Sequence, residues 1–214
     1  MAAGGRMVKR RGPAGGIAGC LRLARGPGRA KGEGRTVMDD RELVEAIRAG
    51  DPAAPAVLVE RFQGVLFGLC VRMMGHRQDA EDVLQDALVR ALRGIGGFDG
   101  GRPLRPWLLG IAANRCRTAL ALRARRPIVI EPPADRPDPR PGPADPDDLA
   151  GELARALDRL RPDYRLVFAL YHEQGLPYEE ISRAIGRPVG TIKTWLHRAR
   201  AELAESLSRR GVRC

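Results

Sequence analysis

YEEISRAIGRPVGTIKTWLHRARAEL, residues 178–203, reads as two helices hinged on a glycine. Ile181, Ala184 and Ile185 recur at three- and four-residue intervals, as do Ile192, Leu196 and Ala199, so each half carries an apolar face that can meet the other. Gly186 stands at the break, where a residue free to adopt left-handed backbone ends a helix without steric cost. One helix is expected from Pro177 to Ile185 and a longer one from Val189 to about Leu207, together a helix-turn-helix. The second helix is expected to turn Thr191, Lys193, Thr194, His197, Arg198 and Arg200 outward, and no acid occurs between residues 187 and 201. Phosphates need cations and base edges need side-chain donors, so such a face suits the major groove of DNA. An amphipathic pair with a merely solvated basic face has the same periodicity. The tight glycine turn and the missing acids favour the DNA reading.

Upstream of this motif, Leu149, Leu153, Leu157 and Leu160 mark one helix, with Asp147 or Asp148 as its cap. Pro162 opens another that carries Leu166, Val167, Leu170 and Tyr171 and closes at Gly175. Eight of the chain's 17 prolines fall between Pro127 and Pro146, among Glu131, Asp135, Asp138 and Asp145. Such a stretch neither holds a helix nor packs a core, so residues 127–147 are expected to be a linker. Fully extended, roughly 22 residues reach about 70 Å, or about two turns of duplex at roughly 34 Å each. Two DNA-reading modules joined by it can sit on separate stretches of one duplex.

Residues 38–126 read as the other module, and residues 148–214 hold the helix-turn-helix. Asp39 or Asp40 caps a helix bearing Leu43, Val44 and Ile47, which Gly50 closes. Asp51-Pro52 starts the next, whose stripe runs Val57, Leu58, Phe62, Val65, Leu66, Leu69, Cys70 and Met73 to Gly75. Asp79 caps a third helix with Ala80, Val83, Leu84, Ala87, Leu88, Ala91 and Leu92 on one side, and Asp79, Asp82, Gln85 and Asp86 on the opposite, acidic side. Glycines 94, 96 and 97 stop it. A loop from Phe98 to Pro103 then leads to a fourth helix opened by Pro106 and Trp107, with Leu108, Ile111, Ala112, Cys116 and Leu120 on its apolar face. No strand alternation occurs beyond the short Ile128-Val129-Ile130, so the fold is expected to be all-α, in two small helical bundles.

Composition narrows the function. The chain carries a net charge of +11, but residues 1–37 hold nine Lys/Arg against Glu33 alone. That basic, Gly-rich extension is expected to be disordered; in a second reading translation begins at Met38. Its start lacks a long enough apolar stretch for a signal peptide, and no run of about 18 apolar residues predicts a membrane span. Cys20, Cys70, Cys116 and Cys214, with His76, His172 and His197, show no metal-ligand spacing, so no metal is expected. Cys70 and Cys116 lie on apolar faces and read as buried thiols, which suits a reducing cytoplasm. No phosphate loop precedes a helix and no nucleophile stands beside a base, so neither an enzyme nor a cofactor is expected.

The segment LRPDYRLVFALYHEQGLPYEEISRAIGRPVGTIKTWLHRARAEL closely resembles region 4 of extracytoplasmic-function sigma factors, which reads the −35 promoter element. The resemblance implies that Lys193, Thr194, His197 and Arg198 meet the major groove, with Arg187 and Thr191 nearer phosphates. Trp195 departs from the Arg that many relatives carry and is expected to pack inward. RFQGVLFGLCVRMMGHRQDAEDVLQDALVRAL resembles the first part of sigma region 2. It implies docking of Asp82, Gln85 and Asp86 on the coiled coil of the polymerase β′ subunit. The stretch from Phe98 to Arg126 resembles the part of region 2 that opens and reads the −10 element. By that resemblance Phe98, Asp99, Arg102, Trp107, Asn114, Arg115 and Arg117 serve a melted strand, although Trp107 by position alone reads as core. Leu104 and Thr118 depart from the Phe and Asp common in relatives. The implied partners are core RNA polymerase (β′ coiled coil and β flap), promoter DNA and a separate anti-sigma factor. The alternative is a stand-alone helix-turn-helix regulator that binds duplex DNA without polymerase.

Overall fold

The computed structural model describes residues 38–125 and 149–209. The basic extension 1–37, the whole of the linker 127–147 with Ile128-Val129-Ile130, and the caps proposed at Asp147 or Asp148 lie outside the described residues. Those residues form eight α-helices and no strand, in two bundles.

The N-terminal bundle holds α1 (Asp40–Arg48), α2 (Ala54–Met74), α3 (Arg77–Gly94) and α4 (Leu104–Arg125), with a 3-10 turn at Ile95–Gly97. Asp39 caps α1 through a reciprocal box: its Oδ1 accepts from Glu42 N at 2.7 Å while its own N donates to Glu42 Oε2 at 2.9 Å. Asp40 is thereby free for longer reach. It accepts from Leu104 N at 3.0 Å and pairs with Arg61 at 2.9 Å, tying the start of α4 to α1 and α2. Leu58, Leu66, Leu69, Met73, Leu104, Leu108 and Leu109 fill the core. Helix α2 is the one described helix long and apolar enough to cross a membrane by length and composition. It carries Glu60, Arg61 and Arg72, and α1, α3 and α4 pack on it, so it is the core helix of this bundle.

Three helix starts differ from expectation. Helix α2 begins at Ala54 with Pro55 in its first turn; Asp51 instead closes a turn by accepting from Ala53 N at 2.9 Å. Helix α3 begins at Arg77 after extended His76, which puts Asp79 inside the first turn, where its charge favours the helix dipole without capping. Helix α4 begins at Leu104, two residues before Pro106, because Asp40 supplies the acceptor for its first N–H.

The C-terminal bundle holds α5 (Leu149–Arg159), α6 (Pro162–Phe168), α7 (Tyr178–Ile185) and α8 (Val189–Ser208). Helix α6 runs into a π-helical turn at Ala169–Glu173, which periodicity did not reveal. Gly186, at φ 65°, ends α7 in the left-handed region, and Ile181, Ile185, Ile192 and Leu196 lock α7 to α8.

Candidate nucleic-acid interface

Helix α8 buries Ile192, Leu196, Ala199, Leu203 and Leu207, so the opposite side faces out. Lys193, Thr194, His197 and Arg198 are exposed there, as is Arg187 in the turn, while Thr191 is half-buried. Among the described residues no carboxylate pairs with Arg187, Lys193, His197 or Arg198. Their contacts are with neutral groups, and Glu202 on the same helix adds a smaller longer-range attraction on Arg198. The Lys193 ammonium lies 5.7 Å from the Tyr178 ring centroid, and Arg198 donates to the Tyr164 hydroxyl at 3.2 Å, which holds its guanidinium above the usual value. The Thr194 hydroxyl donates to Gly190 O at 2.9 Å. The Arg187 backbone is fixed at both ends: its N donates to Ser182 O at 3.1 Å, and its carbonyl accepts from the Ser182 hydroxyl at 2.6 Å. Trp195 packs half-buried against the core, as expected.

Arg200 departs from its expected outward position. Its Nε donates to His172 Nε2 at 3.2 Å, and the guanidinium sits 5.4 Å from the Tyr171 ring centroid. His172 is packed on Phe168 and Tyr171 in the π-helical turn, and burial, then Arg200, pushes its pKa down to about 4.

In the N-terminal bundle a cleft of about 410 Å³ gathers Phe98, Asp99, Arg102, Trp107 and Asn114. Phe98 is only 6% exposed, its ring centroid 4.9 Å from that of Trp107. It is therefore a core residue that shows the cleft an edge. Arg48 clamps the preceding turn, donating to the carbonyls of Ile95 and Gly96 at 3.1 Å and to that of Phe98. Asp99 organises the loop: its Oδ1 accepts from Gly101 N at 3.1 Å and its Oδ2 pairs with Arg102 at 3.0 Å. Asn114 is exposed and offers both a donor and an acceptor.

Two residues expected with this set turn elsewhere. Arg115 pairs with Asp86 on α3, and Arg117 pairs with Asp163 of the C-terminal bundle at 3.5 Å. Asp86 also pairs with Arg90 at 3.0 Å, so of the acidic face only Asp82 and Gln85 stand exposed, whereas Asp79 is held by Arg123 at 2.9 Å. Cys70 and Cys116 are buried free thiols with sulfurs 4.0 Å apart; the contact pushes Cys116 up and Cys70 down. No cluster of metal-binding side chains occurs among the described residues.

Sequence reasoning missed the junction between the bundles. Arg72 pairs with Glu173 at 2.8 Å, and Arg105 donates to the carbonyl and side-chain oxygens of Gln174 at 2.9 and 2.8 Å. Helix α7 lies against α4, and the far wall of the cleft is Glu180, Arg183 and Ala184. One available signal was Gly110, a lone glycine inside an apolar helical pattern.

Comparison with known proteins matches residues 58–126 to sigma-70 region 2 and residues 150–203 to sigma-70 region 4. The chain is 31% identical to the RNA polymerase sigma-H factor of Pseudomonas aeruginosa, over 80% of this chain and 95% of that protein. It is 32% identical to the ECF RNA polymerase sigma-E factor of Haemophilus influenzae, over 76% of this chain and 92% of that one. Among solved structures, the sigma factor RpoE of Bartonella quintana, in complex with the anti-sigma factor NepR, aligns with a TM-score of 0.54 at 26% identity, covering 70% of this chain and 94% of RpoE.

Proposed function

The chain belongs to the sigma-70 family of RNA polymerase sigma factors, in the extracytoplasmic-function group, and we propose from that premise how its two modules divide the work of starting transcription. Region 2, residues 38–126, docks on the β′ coiled coil through Asp82, Gln85 and Asp86. Its cleft takes a flipped base of the −10 element, with Asn114 on the base edge, Trp107 and Phe98 as the apolar wall, and Asp99 and Arg102 at the mouth. Arg115 and Arg117 follow the melted strand. Region 4, residues 148–214, docks at the β flap and sets Lys193, Thr194, His197 and Arg198 in the −35 major groove, with Arg187 and Thr191 at phosphates. Residues 127–147 tether the two, which raises the effective concentration of the second contact once the first has formed.

The protein does no covalent chemistry in this reading; it works in the cytoplasm as a polymerase subunit. RpoE is held by an anti-sigma factor, and a separate anti-sigma partner is proposed here by extension. The observation that supports the assignment best is the exposed α8 face, whose Lys193, His197 and Arg198 have no carboxylate partner among the described residues.

Run-off transcription from genomic fragments, with purified core polymerase and the full chain, tests it. Discrete transcripts that depend on the chain are expected. Failure to associate with core polymerase and to direct initiation anywhere would overturn it. Strong duplex binding by the chain alone, unchanged by core polymerase, would favour the stand-alone regulator instead.

A further inference from the structure

We propose that α1 is a splint for the loop that reads the melted strand, and that Asp40 and Arg48, at its two ends, position that loop for base discrimination, an inference that rests on the −10 reading above. Helix α1 precedes residues 58–126, the part matched to sigma-70 region 2, and none of its side chains is assigned to DNA or polymerase in that reading.

The loop needs support from outside. Four of the six residues from Gly96 to Gly101 are glycine, and glycine loses more conformational freedom on ordering than any other residue. A recognition site must be held to within about 0.5 Å of its productive geometry. The contacts inside the loop are local: Gly101 N donates to the Asp99 side chain, Arg102 N donates to the Asp99 carbonyl at 3.1 Å, and the Arg102 guanidinium pairs with Asp99. They shape the loop without fixing where it stands.

Helix α1 fixes it at both ends. Where the chain enters the loop, Arg48 donates to the carbonyls of Ile95 and Gly96, each at 3.1 Å, and to that of Phe98. Where the chain leaves it, Asp40 accepts from Leu104 N at 3.0 Å. Between these anchors Arg41, Val44, Glu45 and Arg48 share a cavity of about 280 Å³ with Gly100 and Gly101, so α1 runs beside the loop. Phe98, Asp99 and Arg102 line the base-reading cleft on its other side. The splint is itself anchored: Leu43 and Val44 are buried in the core, the Asp39–Glu42 box caps its start, and Arg61 of α2 holds Asp40.

The test uses the full chain with core polymerase, on one promoter recovered in the run-off assay and on three templates that carry the other bases at the −10 position to which output is most sensitive. The quantity read is the ratio of output on the recovered promoter to output on the substituted templates. Arg48→Lys keeps the charge, and with it any attraction for phosphate, but a single ammonium cannot reproduce the fork that reaches three carbonyls. The ratio is expected to fall about tenfold, as for the loss of one hydrogen bond from a charged donor. Asp40→Ala is expected to act alike, whereas Asp40→Asn, which keeps an oxygen acceptor for Leu104 N, should stay within about threefold of wild type. Peptides covering residues 95–104 should exchange their amide hydrogens faster in Arg48→Lys and Asp40→Ala, with residues 181–199 unchanged. Where circular dichroism shows one of these two variants unfolded, the other decides. Output lowered alike on all four templates, at an unchanged ratio, overturns the proposal, because a general loss of fold has that effect. Unchanged exchange over 95–104 overturns it too, as does Asp40→Asn that discriminates as poorly as Asp40→Ala. Failure of the −10 reading shows separately, as wild type with no base preference anywhere in that element.

Discussion

Helices α4 and α8 are both cationic, and the structure treats their charges in opposite ways. On α4, Arg115, Arg117 and Arg123 each meet a carboxylate: Asp86, Asp163 and Asp79. On α8, Lys193 leans on a tyrosine ring and Arg198 on a tyrosine hydroxyl, neither of which carries charge at neutral pH. An aromatic support orients a cation and leaves its field intact, whereas a carboxylate at contact distance cancels much of it. Region 4 therefore presents a cationic surface ready for a polyanion, and region 2 presents one that must first exchange partners. The difference fits their tasks, since duplex DNA is available from the outset and a single strand appears only after melting.

The largest effect that can break this contrast is expected at α8. Replacing Lys193 and Arg198 together by Ala removes two cations that form no contact ion pair among the described residues. With each good base contact contributing about 1–3 kcal/mol of discrimination, −35-dependent output should fall by about 30-fold or more. The salt dependence of DNA binding should flatten, its slope falling by about one for each phosphate that is no longer neutralised. In the free chain, Arg115→Ala/Arg117→Ala should change duplex affinity by less than about threefold, because both cations are already paired. Fluorescence anisotropy across a salt series measures both, and equal losses in the two double variants would erase the distinction.

The next effect sharpens it. Asp82 is exposed, whereas Asp86 also fastens Arg90 and Arg115. Asp82→Asn should weaken association with core polymerase several-fold and leave single-strand binding unchanged. Asp86→Asn should weaken the same association and also tighten single-strand binding, by freeing Arg115. Its cost to stability should stay within about 1 kcal/mol, since the carboxylate is partly exposed. Pull-downs with core polymerase and urea titration separate the two outcomes.

The helix-turn-helix was legible because Ile181, Ile185, Ile192 and Leu196 repeat with the helical period and Gly186 punctuates them. The caps were less so. Asp39, Asp51 and Asp79 look alike in sequence, yet one caps a helix, one closes a turn and one sits inside a first turn. The choice depends on where neighbouring N–H groups find acceptors, and for α4 that acceptor is Asp40, 64 residues away. The junction between the bundles was hidden for the same reason. Arg72 and Glu173 are 101 residues apart, Arg105 and Gln174 69 apart, and no periodicity within one helix registers such pairs. Of the residues assigned to the −35 surface, Lys193, Thr194, His197 and Arg198 share the exposed side of α8, whereas Arg187 lies in the turn before it and Thr191 is half-buried, so the first four were legible as a group in space. Those assigned to the −10 surface come from a loop and a helix whose arginines point to other partners, and were legible only in part.

The smallest effect concerns the α8 arginine that turns away from the outer face toward a histidine. Arg200 donates to His172 Nε2, so that nitrogen must be bare, and a proton there would break the hydrogen bond and set two cations in contact. The native imidazole therefore resists protonation until about pH 4, below the ordinary value of 6.5. The unfolded chain takes up its proton near 6.5, so between pH 6.5 and 4 the unfolded state binds more protons and stability falls as pH falls. A tenfold change in proton affinity corresponds to about 1.4 kcal/mol. The ring is only partly buried, so the stability that disappears over each pH step should be well below that figure. Measured from pH 7 to 5, above the range where carboxylates titrate, the denaturation midpoint should drift downward in wild type and flatten in His172→Gln. Arg200→Ala should keep part of the slope, because burial by Phe168 and Tyr171 outweighs the guanidinium in lowering the pKa. A full loss of slope in Arg200→Ala would mean that the charge dominates and that the Arg200 guanidinium, more than the aromatic packing, keeps this imidazole neutral.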